Sequence, residues 1–348
     1  MSSPTKDAEK RNKRILSRHK WTQTQMLHPD AQSITQRSAE SLWLLQNLFT
    51  SAELTNFLRL LSKHSNDGRE LLHHPEKLHT LALSVLPPEK QERLHLLLSH
   101  PPNSASNQNL ITRFEIESLI RRMLPPSFPL ALRYSGNPNL LSRKRVGIVG
   151  TRHPTFYGRE QAARFARTLA ENGVCVVSGA AIGIDTVANL MGHNSGASVA
   201  VLGSGLGVPY PRANTGLFRC MEYSGRGLLL SEFPDDQRAE KWNFPKRNRI
   251  IAGLCDFLLV IEAGLHSGTM ITAHLAADIG VDVGALPGPV HSPTSQGSNL
   301  LIKDGAFCIE SPEEILERLA NLGHQKDGTR ETLNDDSALL PRTHPTLF

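Results

Sequence analysis

The chain has 348 residues, 39% of them apolar and 20% charged, a composition that suits two domains with sizeable cores and polar tails. Its longest apolar runs, such as Phe257–Ile261, fall far short of the ~18 residues of a spanning helix, so membrane insertion is not expected. The net charge is +5, but residues 1–20 alone hold seven Lys/Arg and two Asp/Glu, whereas 131–322 hold 18 basic and 17 acidic groups, so the basic balance does not by itself mark a nucleic-acid binder.

Residues 1–35 are polar with few apolar anchors and read as a disordered basic arm, either a solvated tail or an accessory contact to nucleic acid. The arm has no apolar segment of the secretory type. From Ser38, apolar residues recur at helical spacing: Leu42, Leu45, Leu48, then Leu54, Phe57, Leu58, Leu61. Further helical stretches near 69–85 and 89–98 are punctuated by Pro87-Pro88 and Pro101-Pro102, with a polar linker at 103–109 and a short helix at about 111–123. Residues 36–124 are therefore read as a small all-helical domain. Its histidines (64, 73, 74, 79, 95) form no repeated i, i+4 pairing and read as surface residues.

Beyond Leu130 short β-rich runs alternate with helices. The runs are 146–149, 174–177, 198–202, 228–230, 257–261 and 283–286; the helices lie near 156–172, 182–195, 213–224, 247–254 and 269–280. This alternation predicts an α/β, extended Rossmann-like, doubly wound and mostly parallel sheet over 125–322. A last helix starts at Ser311-Pro312-Glu313-Glu314, and a flexible tail is expected over 323–348. The cysteines at 175, 220, 255 and 308 have no C-x-x-C spacing, which argues against a zinc site or disulfide framework and fits a reducing cytoplasm.

Glycine-rich or hydroxyl-bearing loops follow several strands. Gly150-Thr151-Arg152 ends the first; Gly150 permits close approach to an anion and Arg152 can fork onto a phosphate. Thr155 is placed to cap the next helix, whose N-terminus favours anions. Ser178-Gly179 opens the second loop, where backbone amides can meet a phosphate; Asp185 beyond it serves a helix terminus or a backbone amide. Gly203-Ser204-Gly205 follows the third strand, and Asn214 either caps a helix or meets a ligand. Phe244, Lys246, Arg247, Asn248 and Arg249 crowd cations at a helix entrance, against the macrodipole, which calls for an anionic partner. Phe244 is either a base-stacking platform or a buried staple. Ser267-Gly268-Thr269 opens another helix with converging amides and hydroxyls.

Several chemistries lack their signatures here. There is no G-x-G-x-x-G, no Walker Lys-Ser/Thr, no G-x-S-x-G and no H-E-x-x-H. A phosphate-complementary surface without an evident nucleophile favours binding over turnover, with no cofactor or metal expected.

The ordered series GIVGTRHPTFYG, VVSGAAIGID, AVLGSG, YPRAN, SEFP, FPKRNRIIAG, VIEAGLHSGTMITA, ALPGPV and GSNLLIKDGA resembles the DprA/Smf DNA-processing family from about Arg133 to Leu316. The resemblance implies a single-stranded-DNA-binding recombination mediator. In this reading the protein is not an enzyme; it protects incoming DNA and loads RecA during natural transformation, past single-strand binding protein, as a homodimer. It carries DNA contact onto Arg152, Lys246, Arg247 and Arg249, with Gly150, Thr151 and Asn248 in the same motifs, and onto Ser178, Gly179, Ser267, Gly268 and Thr269. The chain departs from the family at Asn189, where a His is usual, at Ala180, where Leu is usual, and at Val281-Asp282, where Gly-Arg is common.

A reading from a different class is a nucleotide-hydrolysing enzyme of the phosphoribohydrolase type. Such enzymes carry P-G-G-x-G-T-x-x-E; here Thr272 stands where that Glu would fall. A third is a nucleotide-sensing module.

Overall fold

The computed structural model describes residues 39–64, 75–99 and 109–327. Its frame is one nine-stranded sheet in the order β1-β2-β6-β5-β4-β3-β7-β8-β9. The central strands are β3 (Arg145–Val149), β4 (Cys175–Ser178), β5 (Ser198–Leu202), β6 (Gly227–Ser231), β7 (Phe257–Val260) and β8 (Asp282–Ala285), and all of them pair in parallel. Nearly every residue in these strands is buried. That is why they read as continuous apolar runs: a parallel sheet has helices on both faces.

Two apolar clusters sandwich the sheet. One gathers Val177, Val199, Val201, Leu258 and Val260 with Ile250, Ile251 and Ala273. The other gathers Val146, Ile148, Val176 and Leu259 with Phe165, Leu169, Ile315 and Leu319. The covering helices are α5 (Phe156–Glu171), α6 (Ile184–Ser195), α7 (Thr215–Tyr223), α8 (Asn243–Leu254), α9 (Gly268–Asp278), α10 (Gln296–Lys303) and α11 (Pro312–Asp327).

Three strands escape the apolar-run reading. β1 (Asn109–Thr112) and β2 (Ala131–Gly136) extend the sheet antiparallel beyond β6, and the two-residue β9 (Phe307–Cys308) closes the other edge. The sequence expectation of a linker followed by a helix from 111 is corrected here. Thr112 and Glu115 form a capping box, each side chain bonding the other's backbone, so α4 (Arg113–Ile120) cannot begin before 113 and the preceding Leu110-Ile111 is free to pair with β2. The first strand of the sheet thus comes from within the stretch 36–124.

Before it, a helical run at 39–46 and helices α1 (Ser51–His64), α2 (Pro75–Val85) and α3 (Pro88–Ser99) bury Leu42, Leu45, Phe57, Leu61, Leu78 and Leu94 together, and the cluster extends to Leu110, Leu130 and Ala131 of the β1–β2 edge. The basic arm and most of the tail lie outside the described residues, although α11 runs past Gly323 to Asp327. No helix of the described residues is long and apolar enough to cross a membrane.

Candidate nucleic-acid interface

The chain order runs outward from β3 through β4, β5 and β6, then returns to place β7 on the other side of β3. The switch point of the sheet is therefore between β3 and β7, where open α/β sheets hold ligands at their carboxyl ends. The loops at 150–155, 179–183, 203–211 and 261–267 all leave that edge.

Two of the anion sites expected from the sequence are filled by the chain's own carboxylates. At the start of α5, Thr155 caps as expected, its Oγ1 accepting from Gly158 N at 3.1 Å. The Glu262 carboxylate accepts from Thr155 N at 3.0 Å and from Thr155 Oγ1 at 2.6 Å. Helix α5 passes so close that a Cβ on Gly158 would lie 2.3 Å from Glu262 Oε2. The anion at this helix terminus is internal, a correction to the expectation of an external phosphate.

The second is Asp185, 6% exposed in the first turn of α6. It takes hydrogen bonds from the amides of Gly150, Gly179 and Ala181, three groups from two adjoining loops, and it faces Arg247. Burial pushes its carboxyl upward, against the pull of Arg247 and the amides. The Arg247 guanidinium is pushed down to about 10 by burial, opposed by Asp185, with neighbouring Arg152 adding to the depression. Arg247 is 3% exposed and donates from Nη1 to Val201 O at 2.6 Å. Gly179 is needed where it stands, because a Cβ there would lie 1.8 Å from Arg247 Nη1. Gly179 thus makes room for a buried cation.

The remaining basic residues divide. Arg249 is tied to the Glu232 carboxylate and to Ser127 O. Lys246 is half exposed, with Nζ 3.7 Å from Glu232 Oε1. Arg152 is exposed, and its guanidinium carbon lies 5.0 Å from the centroid of Phe244. Phe244 is half-buried, rests over Gly203 and sits 6.1 Å from the ring of Tyr210. Arg152, Ile182, Tyr210, Pro211 and Phe244 line one shallow crevice, and Ile182 and Tyr210 are themselves exposed. Of the cations at the entrance of α8, Lys246 and Arg249 thus both face the Glu232 carboxylate, and buried Arg247 lies in the field of Asp185.

The other expected residues hold the frame. Ser178 is fully buried and donates to Ile148 O at 2.7 Å. Gly150 packs against Ile184, and Thr151 donates its amide to Glu262 O at 2.8 Å. Asn248 donates to Gly268 O at 3.3 Å, linking α8 to the start of α9. Ser267 caps α9, and Thr269 is buried. Asn214 does not cap α7; it donates to Ala180 O and Thr186 Oγ1. Asn189 binds the Ala180 amide, Ser198 Oγ and Val199 O in the core. Thr272 is buried and donates to Gly268 O at 3.1 Å, so the position of the phosphoribohydrolase Glu offers no carboxylate. Among the described residues no group of three or more His, Cys, Asp or Glu is placed to hold a metal ion.

The edge offers accessible cations, Arg152 and Lys246 among them, beside the rings of Phe244 and Tyr210. Chemically that combination attracts phosphates and accepts the faces of bases.

The fold and this edge define the chain as a Rossmann-like α/β protein with a small helical layer against its antiparallel edge. Residues 112–320 match the family model of DNA recombination-mediator protein A, and the chain belongs to that family. It is 44% identical over 193 residues to protein Smf of Escherichia coli K12, an alignment covering 55% of this chain and 51% of that protein. The chain therefore spans about half the length of this relative. The X-ray structure of DprA from Streptococcus pneumoniae superposes with a TM-score of 0.60 at 29% identity, covering 79% of this chain and 95% of that one. DprA from Helicobacter pylori, whose structure describes a single-stranded DNA binding mode, superposes with a TM-score of 0.53 at 27% identity over 63% of this chain and 98% of that one.

Proposed function

We propose that this protein is a single-stranded-DNA-binding recombination mediator. One observation carries the reading: Arg152 and Phe244 are stacked together at the carboxyl edge of the sheet, with Lys246 exposed on the same helix as Phe244. A cation held over a ring gives one phosphate contact and one platform for a base in a single unit. The relationship to Helicobacter pylori DprA supports the choice of a single strand as the polyanion.

In this reading the phosphate contacts belong to Arg152 and Lys246. Arg247, Asn248 and Arg249 act from behind by fixing α8, and Gly150, Thr151, Ser178, Gly179, Ser267, Gly268 and Thr269 shape the loops. The protein holds the strand without cutting it, works as a homodimer in the cytoplasm, and delivers DNA coated with single-strand binding protein to RecA. The test is a gel shift comparing single- and double-stranded DNA, followed by RecA filament formation on DNA coated with single-strand binding protein. Equal affinity for both DNA forms, or no acceleration of filament formation, would defeat the reading.

A further inference from the structure

A second cavity shares the 150–155 loop with the Arg152 crevice. It is a cleft of about 590 Å³ lined by Thr155, Tyr157, Glu262, the Pro287–Pro289 segment, Ser292 and Ser295. That volume falls in the range of small-molecule sites, and the position beside the β3–β7 switch point is where this architecture holds ligands.

Its chemistry is selective. No Lys or Arg lines it, and Glu262 sits at its floor, so a phosphate does not belong there. Ser295 is 3% exposed and lines the cleft. The walls include the Tyr157 ring, Pro287 and Pro289. They are also preorganised, since Asn299 accepts from Gly288 N at 3.1 Å and donates to Gly288 O at 2.9 Å. A Cβ on Gly288 would lie 2.2 Å from Ser295 Oγ, so glycine keeps the floor open.

We propose that this cleft is a nucleobase subsite. It takes one uncharged base against Tyr157 and the proline walls, with Ser295 donating to an acceptor on the base's pairing edge and Glu262 accepting from the adjacent N–H. Every base presents such a neighbouring acceptor and donor on its pairing edge, and an unstacked base is open to both contacts. The proposal rests on the single-strand reading above, in which Arg152 and Lys246 keep the phosphates outside while a base turns in. The same chemistry would accept the base of a free deoxynucleoside.

The test compares wild type, Tyr157→Ala and Ser295→Ala on a short homopolymeric oligodeoxynucleotide and on a set carrying one abasic residue at each position in turn. We expect one position at which base removal weakens wild type at least about five-fold, the lower end of a base–aromatic stack, and costs Tyr157→Ala nothing further. Arg152→Ala should weaken intact and abasic strands equally. A second arm titrates the four deoxynucleosides and follows the NMR amide resonances of Tyr157 and Ser295. Saturable shifts with a flat abasic scan assign the cleft to free nucleosides and keep it a base site. No response in either arm overturns the proposal. A protein that bound no single strand at all would overturn the DNA reading, and the nucleoside arm alone would then decide the cleft.

Discussion

The Arg152 guanidinium lies 5.0 Å from the centroid of the Phe244 ring, so a cation suited to a phosphate and a ring suited to a base are one unit joining the β3 loop to α8. Arg152→Ala should weaken single-strand binding and reduce the log–log salt slope by about 0.7, the share of one phosphate contact. Lys246→Ala should do the same, and the two effects should add if the contacts are separate. Phe244→Ala should weaken binding without moving the slope. Binding isotherms over a salt series check all three; unchanged slopes in both cation variants would remove them from the interface.

Arg249→Ala should leave the salt slope unchanged and lower stability instead. Its partner Glu232 is 5% exposed and already has one buried oxygen without a hydrogen-bond partner. Removing Arg249 leaves only the half-exposed Lys246 ammonium, 3.7 Å away, to face that carboxylate. Arg247→Ala should also lower stability, because Val201 O loses its guanidinium donor and the buried Asp185 carboxyl loses a favourable neighbouring charge. Urea denaturation of the two variants against Lys246→Ala gives the ordering. A loss of DNA affinity in Arg249→Ala without loss of stability would put Arg249 back among the direct contacts.

The contrast among these three cations marks what the sequence could and could not disclose. The six central strands were legible because each is buried on both faces and so reads as an unbroken apolar run, Phe257-Leu258-Leu259-Val260 most plainly. β2 was not, because Arg133, Tyr134 and Ser135 are only half-buried near the sheet's antiparallel end. Within Lys246-Arg247-Asn248-Arg249 the cations look alike. Which one is buried depends on Asp185, 62 positions earlier, and which one is tied depends on Glu232, 17 positions earlier. The internal carboxylates were equally hidden: Glu262 reaches Thr155 across 107 positions, a distance no local pattern reports. The capping box at Thr112 and Glu115 was the exception, a local signature that would have moved the start of α4.

Gly179→Ala should behave as a packing mutation. The new Cβ would meet Arg247 Nη1 at 1.8 Å and its Cζ at 2.4 Å, and Arg247 is enclosed by Asp185 and Val201 O. Overpacking of this kind costs about 1–3 kcal/mol. Because the displaced guanidinium sits near Arg152, single-strand affinity should fall as well. Gly216→Ala, where an added Cβ meets nothing within 4 Å, is the matched control and should fold and bind as wild type. Thermal melts and binding of the pair decide whether Gly179 is a spacer for Arg247.

The four cysteines should separate into two classes. Cys220 and Cys308 are exposed, whereas Cys175 and Cys255 are buried. Burial pushes both buried thiols from 9.0 up to about 12; Asp256 adds to the rise at Cys255, and nearby arginines oppose it at both. Iodoacetamide at pH 8 should therefore modify two residues in the native protein and four in denaturant, as counted by mass spectrometry. The same shifts fix a sign for stability. The unfolded thiols lose their protons near pH 9 while the folded ones keep them, so the stabilisation is complete below pH 9 and lost as pH rises towards 12. Each thiol contributes a slope of up to about 1.4 kcal/mol per pH unit in that window. Cys175→Ala with Cys255→Ala should flatten the fall measured between pH 9 and 11. An identical fall in the double variant would show that neither thiol stays protonated in the folded chain.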